Sequence, residues 1–66
     1  SLYELERILD VELPTEEFET LNGFFIHLLG GDIPPMDQVS RATYKDIQLT
    51  TLLVSEKRIE KILLHL

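Results

Sequence analysis

The chain has 66 residues, a net charge of −6 and no cysteine, and 44% of its residues are hydrophobic. One small domain of this length buries only about 60% of the surface that its unfolded chain exposes, and without cysteine it has no disulfide framework and no cysteine-ligated zinc. The acidic balance argues against nucleic acid as a partner, and no apolar run approaches the roughly 20 residues that span a bilayer. We therefore expect a non-enzymatic domain of a reducing compartment that does not insert into a membrane.

The charge is concentrated at one end of the chain. Residues 1–20 contain seven of the twelve acids and one of the six bases, whereas residues 21–66 contain five acids and five bases. The whole net charge of −6 therefore belongs to the first third.

The first predicted element is a short amphipathic helix over about 2–9. Ser1 and Glu4 have the spacing of a capping box, in which the serine oxygen accepts a backbone N–H and the glutamate reaches back to the cap. Pro14 prevents continuation of the helix, so residues 10–19 are predicted to form an extended link. Its apolar residues Val11, Leu13 and Phe18 would face inward, and Glu12, Glu16, Glu17 and Glu19 would face solvent.

The second predicted element is an amphipathic helix over about 21–29, and it gives the clearest periodicity in the sequence. Apolar residues follow the spacing i, i+3, i+4, i+7 and i+8, as Leu21, Phe24, Phe25, Leu28 and Leu29. Thr20 suits the N-cap, and Gly30-Gly31 suits a left-handed C-terminus. Gly23 weakens the first turn, and its presence indicates a close backbone approach, which we expect to involve a sheet beneath the helix.

Three strands are predicted after the Pro34-Pro35 pair, near 38–44, 46–54 and 58–65, because β-branched and aromatic residues become frequent there. The last two strands should form an antiparallel hairpin through residues 55–57. The alternation of apolar residues in this hairpin is imperfect, so either both of its faces are covered or a β-bulge intervenes. Two helices and an antiparallel sheet predict a two-layer α+β domain.

Five segments in order resemble one known family. They are Glu4 to Leu9, Glu12-Leu13-Pro14-Thr15-Glu16-Glu17, Thr20-Leu21-Asn22-Gly23-Phe24-Phe25 through Gly30, Ile33-Pro34, and Lys57-Arg58-Ile59-Glu60-Lys61-Ile62. Together they resemble the transporter-associated domain of the CorC/HlyC family, in which a short helix, a link, a second helix and a C-terminal hairpin follow one another. The resemblance covers residues 1–66, which we interpret as a single such domain.

The resemblance implies a regulatory module of hemolysin-like or magnesium and cobalt efflux proteins. In those proteins the domain follows a pair of CBS domains, often after a membrane region, and is thought to modulate ion transport. The CBS domains and the membrane region would then be the partners, and the module would act on the cytoplasmic side of the cell membrane. The fold is similar to part of the FAD-binding domain of the vanillyl-alcohol oxidase type, which does not by itself imply flavin.

Two departures from the family pattern are visible. Members commonly have Lys/Arg-x-Gly followed by an acid where this chain has Pro35-Met36-Asp37-Gln38, so the turn into the first hairpin strand should differ in shape. Members also usually begin with a strand before the position of Ser1. Either the sheet presents an unpaired edge or that strand lies outside these 66 residues.

The sequence contains no catalytic constellation, and its acidic residues and histidines offer two candidate kinds of metal site. Asp10, Glu12, Glu16 and Glu17 are the candidate ligands of a divalent cation, but the sequence lacks a converging loop such as that of an EF-hand, so we expect a solvated acidic surface. His27 and His65 are far apart without a His-x-x-x-His pattern, so we expect surface histidines rather than a zinc site.

The final hairpin has more apolar residues than a small two-layer core needs. The predicted docking interface consists of Leu52, Leu53, Val54, Ile62, Leu64 and Leu66, with Leu63 beside them, and its partner would be a second copy or a neighbouring domain. Two alternative functions stay open. One is the binding of FAD or an adenine nucleotide between helix and sheet, and the other is divalent-cation sensing by the acidic segment.

Overall fold

The computed structural model describes residues 1–66. It contains helices α1 (Leu2–Leu9) and α2 (Leu21–Leu28) followed by strands β1 (Arg41–Tyr44), β2 (Ile47–Val54) and β3 (Ile59–His65). The strands form one antiparallel sheet in the order β1-β2-β3, and both helices share a core with one face of it. The predicted small α+β fold is confirmed.

Helix α1 begins with the predicted capping box. The Glu4 N–H donates to the Ser1 hydroxyl oxygen at 3.2 Å, and the same hydroxyl lies 3.4 Å from the Glu4 carboxylate. The helix ends at Asp10, which has left-handed backbone angles, φ 55° and ψ 42°, a conformation that Asp adopts more readily than most residues. Asp10 is therefore the residue that turns the chain out of α1.

The link between the helices is not extended throughout, so that prediction is wrong for residues 15–17. Those residues form a turn in which the Pro14 carbonyl accepts hydrogen bonds from the N–H groups of Glu17 and Phe18, at 3.2 and 3.1 Å. The turn brings Phe18 back over the core, and the Leu2 N–H donates to the Glu19 carbonyl at 2.8 Å. The inward positions of the link's three apolar residues and the exposure of its glutamates are as expected.

Both ends of α2 follow the sequence prediction. The Gly23 N–H donates to the Thr20 hydroxyl at 3.0 Å. At the other end Gly30 and Gly31 have φ of 110° and 103°, and their N–H groups donate to the carbonyls of His27 and Ile26. This pattern is the Schellman motif, which requires a residue that tolerates positive φ.

The prediction that a sheet closely approaches the backbone at Gly23 is wrong. The nearest atom to a Cβ placed there is the Thr20 hydroxyl oxygen at 3.3 Å, and no sheet atom approaches within 4 Å. The small residue at this position therefore leaves room for the N-cap hydrogen bond.

The strands are slightly shorter than predicted. A turn over Met36 to Gln38 precedes β1, which therefore begins later than predicted. Just before β1, the Thr51 N–H donates to the Ser40 carbonyl and the Ser40 N–H donates to the Thr51 hydroxyl, both at 2.9 Å. The hairpin between β1 and β2 turns through Lys45-Asp46, with Lys45 at φ 53°. Positive φ at the first turn position is a property of the primed turns that suit two-residue hairpins.

The β2–β3 pair contains a double irregularity. Thr51 pairs with Ile62, Leu53 with Lys61, and Val54 with Ile59. Leu52 is therefore the extra residue on β2, and Glu60 is the extra residue on β3. Of the two explanations for the imperfect alternation, the β-bulge is confirmed.

The core lies between the helices and one face of the sheet. Its buried apolar members come from every part of the chain: Leu2, Leu13, Phe24, Phe25, Ile47, Leu49, Val54 and Ile59. Aromatic rings join the layers, because Phe24 meets Phe18 at 5.5 Å and the edge of Tyr44 at 4.9 Å. The Asn22 side-chain amide also donates to the Ile59 carbonyl, which ties α2 to the start of β3.

We expect Phe25→Ala to lower the free energy of unfolding by about 3–5 kcal/mol, because Phe25 is fully buried and its loss leaves a cavity. Ile8→Ala is the matched control, since Ile8 is 78% exposed on α1 and should change stability by about 0.5 kcal/mol or less. Urea unfolding followed by circular dichroism measures both, and equal losses would contradict the assigned core.

Candidate functional site

The strand register divides the sheet residues between two faces. Ala42, Leu49 and Leu64 are cross-strand neighbours on the core face, as are Thr51 and Ile62. Side chains alternate along a strand, so the residues between them point away from the helices. The resulting open face consists of Arg41 and Thr43 on β1, Gln48, Thr50, Leu52 and Leu53 on β2, and Glu60, Lys61, Leu63 and His65 on β3.

Part of this open face is apolar and exposed. Leu52, Leu53 and Leu63 are 60%, 51% and 51% exposed. The segment before β1 adds exposed Met36 and Val39, which line the same open groove as Leu52 and Leu53. We call Met36, Val39, Leu52, Leu53 and Leu63 the open-face patch.

The residues predicted as one docking interface lie in two different environments. Leu52 and Leu53 are on the open face, and Leu66 is exposed at the end of the chain. Val54 is buried in the core, and Ile62 and Leu64 are half-buried against it. The predicted set therefore does not form one surface, and Met36 and Val39, which it omitted, adjoin its exposed leucines.

The bulge is the physical reason for this division. Core-facing residues of β2 have odd numbers as far as Thr51, and beyond the extra residue the core-facing position is Val54. Strand β3 changes phase at Glu60, so Ile59 and Ile62 face the same core. Leu52 and Leu53 lie between the core-facing residues Thr51 and Val54, so two successive leucines reach the open face.

The molecule exposes more surface than its size requires. A compact monomer of 7.7 kDa is expected to expose roughly 4,300 Å², whereas this chain exposes 4790 Å². The excess of roughly 450 Å² is about half of what one partner contributes to a standard protein interface. This excess of exposed surface is consistent with the exposed leucines of the open-face patch.

The four predicted metal candidates lie in the helical layer, on the opposite side from the open-face patch. Asp10, Glu12, Glu16 and Glu17 are all exposed, and the structure contains no group of three or more Asp, Glu, His or Cys side chains that could hold a metal ion. Asp10 has a structural position as the left-handed end of α1. The neighbouring Glu6 carboxylate accepts the Leu13 N–H at 2.7 Å, which fixes the link against α1.

The space between helices and sheet, where the alternative function would place a nucleotide, is occupied by side chains. It retains one cavity of about 10 Å³ lined only by hydrophobic residues, whereas ligand pockets usually measure about 300–1,000 Å³. His27 is exposed and its ring lies 5.0 Å from that of Phe18. His65 is a separate residue on the open face.

The fold and the open face define a class of small α+β domain whose most prominent surface feature is an uncovered apolar patch. Comparison with known families then places the chain: the model of the transporter-associated domain, CorC_HlyC, matches residues 1–66. The chain belongs to this family, as the sequence resemblance predicted. No curated protein and no solved structure matches it. Neither helix has the length and apolar character needed to cross a bilayer.

Two Leu→Glu substitutions should distinguish a residue of the open face from a residue that packs on the core. Leu64→Glu places a charge against the core and should destabilise the fold by at least about 2 kcal/mol. Leu53→Glu places the same charge on an exposed position and should change stability by less than about 1 kcal/mol. Urea denaturation of the two variants checks this, and an equal loss would show that Leu53 also packs within the domain.

Proposed function

We propose that this chain is a non-enzymatic regulatory and interaction module of a hemolysin-like or magnesium and cobalt efflux protein that contains a CBS pair. The observation that supports the proposal is an apolar patch left uncovered by a domain whose own core is complete. Contiguous exposed apolar surface of this kind is typical of interaction sites. Membership of the transporter-associated domain family gives the proposal its biological setting.

The proposed mechanism is mechanical coupling. The open-face patch would pack against a neighbouring part of the transport protein, so that a change in the CBS pair alters the position of the membrane region and thereby ion transport. The module would act on the cytoplasmic side of the membrane. No observation in this structure favours the nucleotide-binding or cation-sensing alternatives over docking.

The first test is the sequence of the polypeptide that carries these residues. A CBS pair and hydrophobic spans in the same polypeptide are the expected result. If the polypeptide has neither a CBS pair nor hydrophobic spans, the proposed setting is overturned, whatever the domain itself binds.

The second test measures docking directly. We expect the 66-residue chain to bind the CBS region of its polypeptide in isothermal titration calorimetry, and Leu53→Glu to weaken binding at least about tenfold, or about 1.4 kcal/mol. Gln48→Glu is the matched control, because it adds the same charge to the polar end of the same face and should bind like the wild type.

Leu53→Glu should also alter ion flux through the full-length protein, and Gln48→Glu should leave that flux unchanged. If Leu53→Glu leaves both binding and flux at the wild-type level, the open-face patch is not the docking surface.

A further inference from the structure

Charge is divided between the two sides of this molecule. The acids of residues 1–20 lie on α1 and the link, in the helical layer. The open-face positions of the three strands contain two cations, Arg41 and Lys61, and one carboxylate, that of Glu60, which is paired with Arg58. Asp37, on the segment before β1, is the one acid that borders the groove beside the open-face patch.

The two open-face cations have no partner within the chain. The ion pair that the structure contains joins Arg58 to Glu60 at 3.4 Å. Lys45, by contrast, donates to the Glu12 carbonyl at 3.4 Å and lies over the Tyr44 ring. Arg41 and Lys61 are both exposed, so a partner's carboxylates can reach them while its apolar side chains contact the leucines between them.

The position of the leucines limits the form of that partner. Leu52 and Leu53 present their side chains on the face of the sheet, and β2 pairs there with β3, whereas its pairing with β1 ends at Thr50. Strands pair within the plane of the sheet, so an extended peptide packed on this face would bury backbone N–H and C=O groups without partners. A helix satisfies its own backbone hydrogen bonds, and its diameter of about 10–12 Å matches the roughly 10 Å between the outer strands that carry the cations.

We infer that the open-face patch receives an acidic amphipathic helix of another protein domain. Apolar residues of that helix pack on Leu52, Leu53 and Leu63, and its flanking Asp or Glu side chains pair with Arg41 and Lys61. The inference rests on the proposed docking function and adds the chemistry of the occupant to it. The helix then forms a third layer, opposite α1 and α2.

The charges argue against two other occupants. A symmetric dimer would bring the same patch of each copy together, and with it the Arg41 and Lys61 of both copies, in molecules that each have a net charge of −6. An anionic membrane would also attract the two cations, but the acids of the helical layer would be repelled by it. An acidic helix brings no second pair of cations to the face, although the acids of the helical layer repel it as they repel an anionic membrane.

The test uses two synthetic helical peptides of about 18 residues, or five turns, identical except for their charges. Both have leucines along one face, flanked by glutamates in the acidic peptide and by lysines in the basic peptide. Each is titrated at low ionic strength into the isotope-labelled 66-residue chain, and backbone amide shifts are followed by NMR. We expect the acidic peptide to shift the amides of residues 52–53 and 61–63, and the basic peptide to bind at least about tenfold more weakly.

Charge reversal sharpens the test. Arg41→Glu with Lys61→Glu should lose affinity for the acidic peptide and gain affinity for the basic one. Arg7→Glu with Lys57→Glu is the matched control, because it changes the net charge by the same amount away from the open face and should keep the wild-type preference. Raised salt should weaken the acidic peptide's binding to the wild type.

Each contrary outcome has a defined meaning. Equal binding of both peptides at these residues would overturn the acidic partner and leave docking intact. If no shift of these amides occurs with either peptide, the acidic partner is also overturned. The titration with the CBS region would still test docking separately. Patch-dependent self-association in sedimentation, or binding to phosphatidylserine vesicles that charge reversal abolishes, would assign the open-face patch to a second copy or to anionic lipid instead.

Discussion

The double bulge between β2 and β3 is the constraint on which the distribution of side chains in this domain depends. One extra residue on each strand reverses which positions face the core, and the pairing resumes with Val54 opposite Ile59. Without that change of phase, one of the strand segments on either side of the bulge would turn its apolar residues away from the helices. The bulge thus completes the core and places Leu52 and Leu53 side by side on the opposite face.

The core that results is small but closed. Hydrogen bonds cap the N-termini of both helices through Ser1 and Thr20 and the C-terminus of α2 through the Gly30-Gly31 pair. No buried side-chain polar atom lacks a hydrogen-bond partner. The exposed leucines therefore do not reflect a poorly formed interior. They are surplus to a fold that is complete without them, which is why a covering partner is the economical explanation.

The segregation of charge gives the two sides of the domain different properties. The helical layer is acidic and contains the link whose turn ties Leu2 to Glu19. The open face combines leucines with two unpaired cations. A module with these two sides would have a defined orientation if it docks through the open face, because the cations there are not outnumbered by acids as they are in the helical layer. In a transporter-associated domain, a fixed orientation is what mechanical coupling would need.

Local signals in the sequence determined much of this protein. The capping box at Ser1, the N-cap at Thr20, the glycine pair after α2 and the helical periodicity between them are properties of short segments, and each is found where it was predicted. The net charge and its concentration in the first third of the chain also follow from the sequence alone. Family membership was also predictable, because five such segments occur in a fixed order and the family model matches the whole chain.

Only the tertiary structure decided which leucines are available for docking. The sequence shows a hairpin rich in apolar residues. The position of a bulge depends on how its two strands pair, which neither strand specifies alone. Leu64 and Leu53 are both leucines in that hairpin, yet one packs on the core and the other is exposed. Likewise, the turn over Met36 to Gln38 brings Val39 beside Leu53. Contacts between segments that are distant in the sequence determine which residues are exposed, so local periodicity cannot predict it.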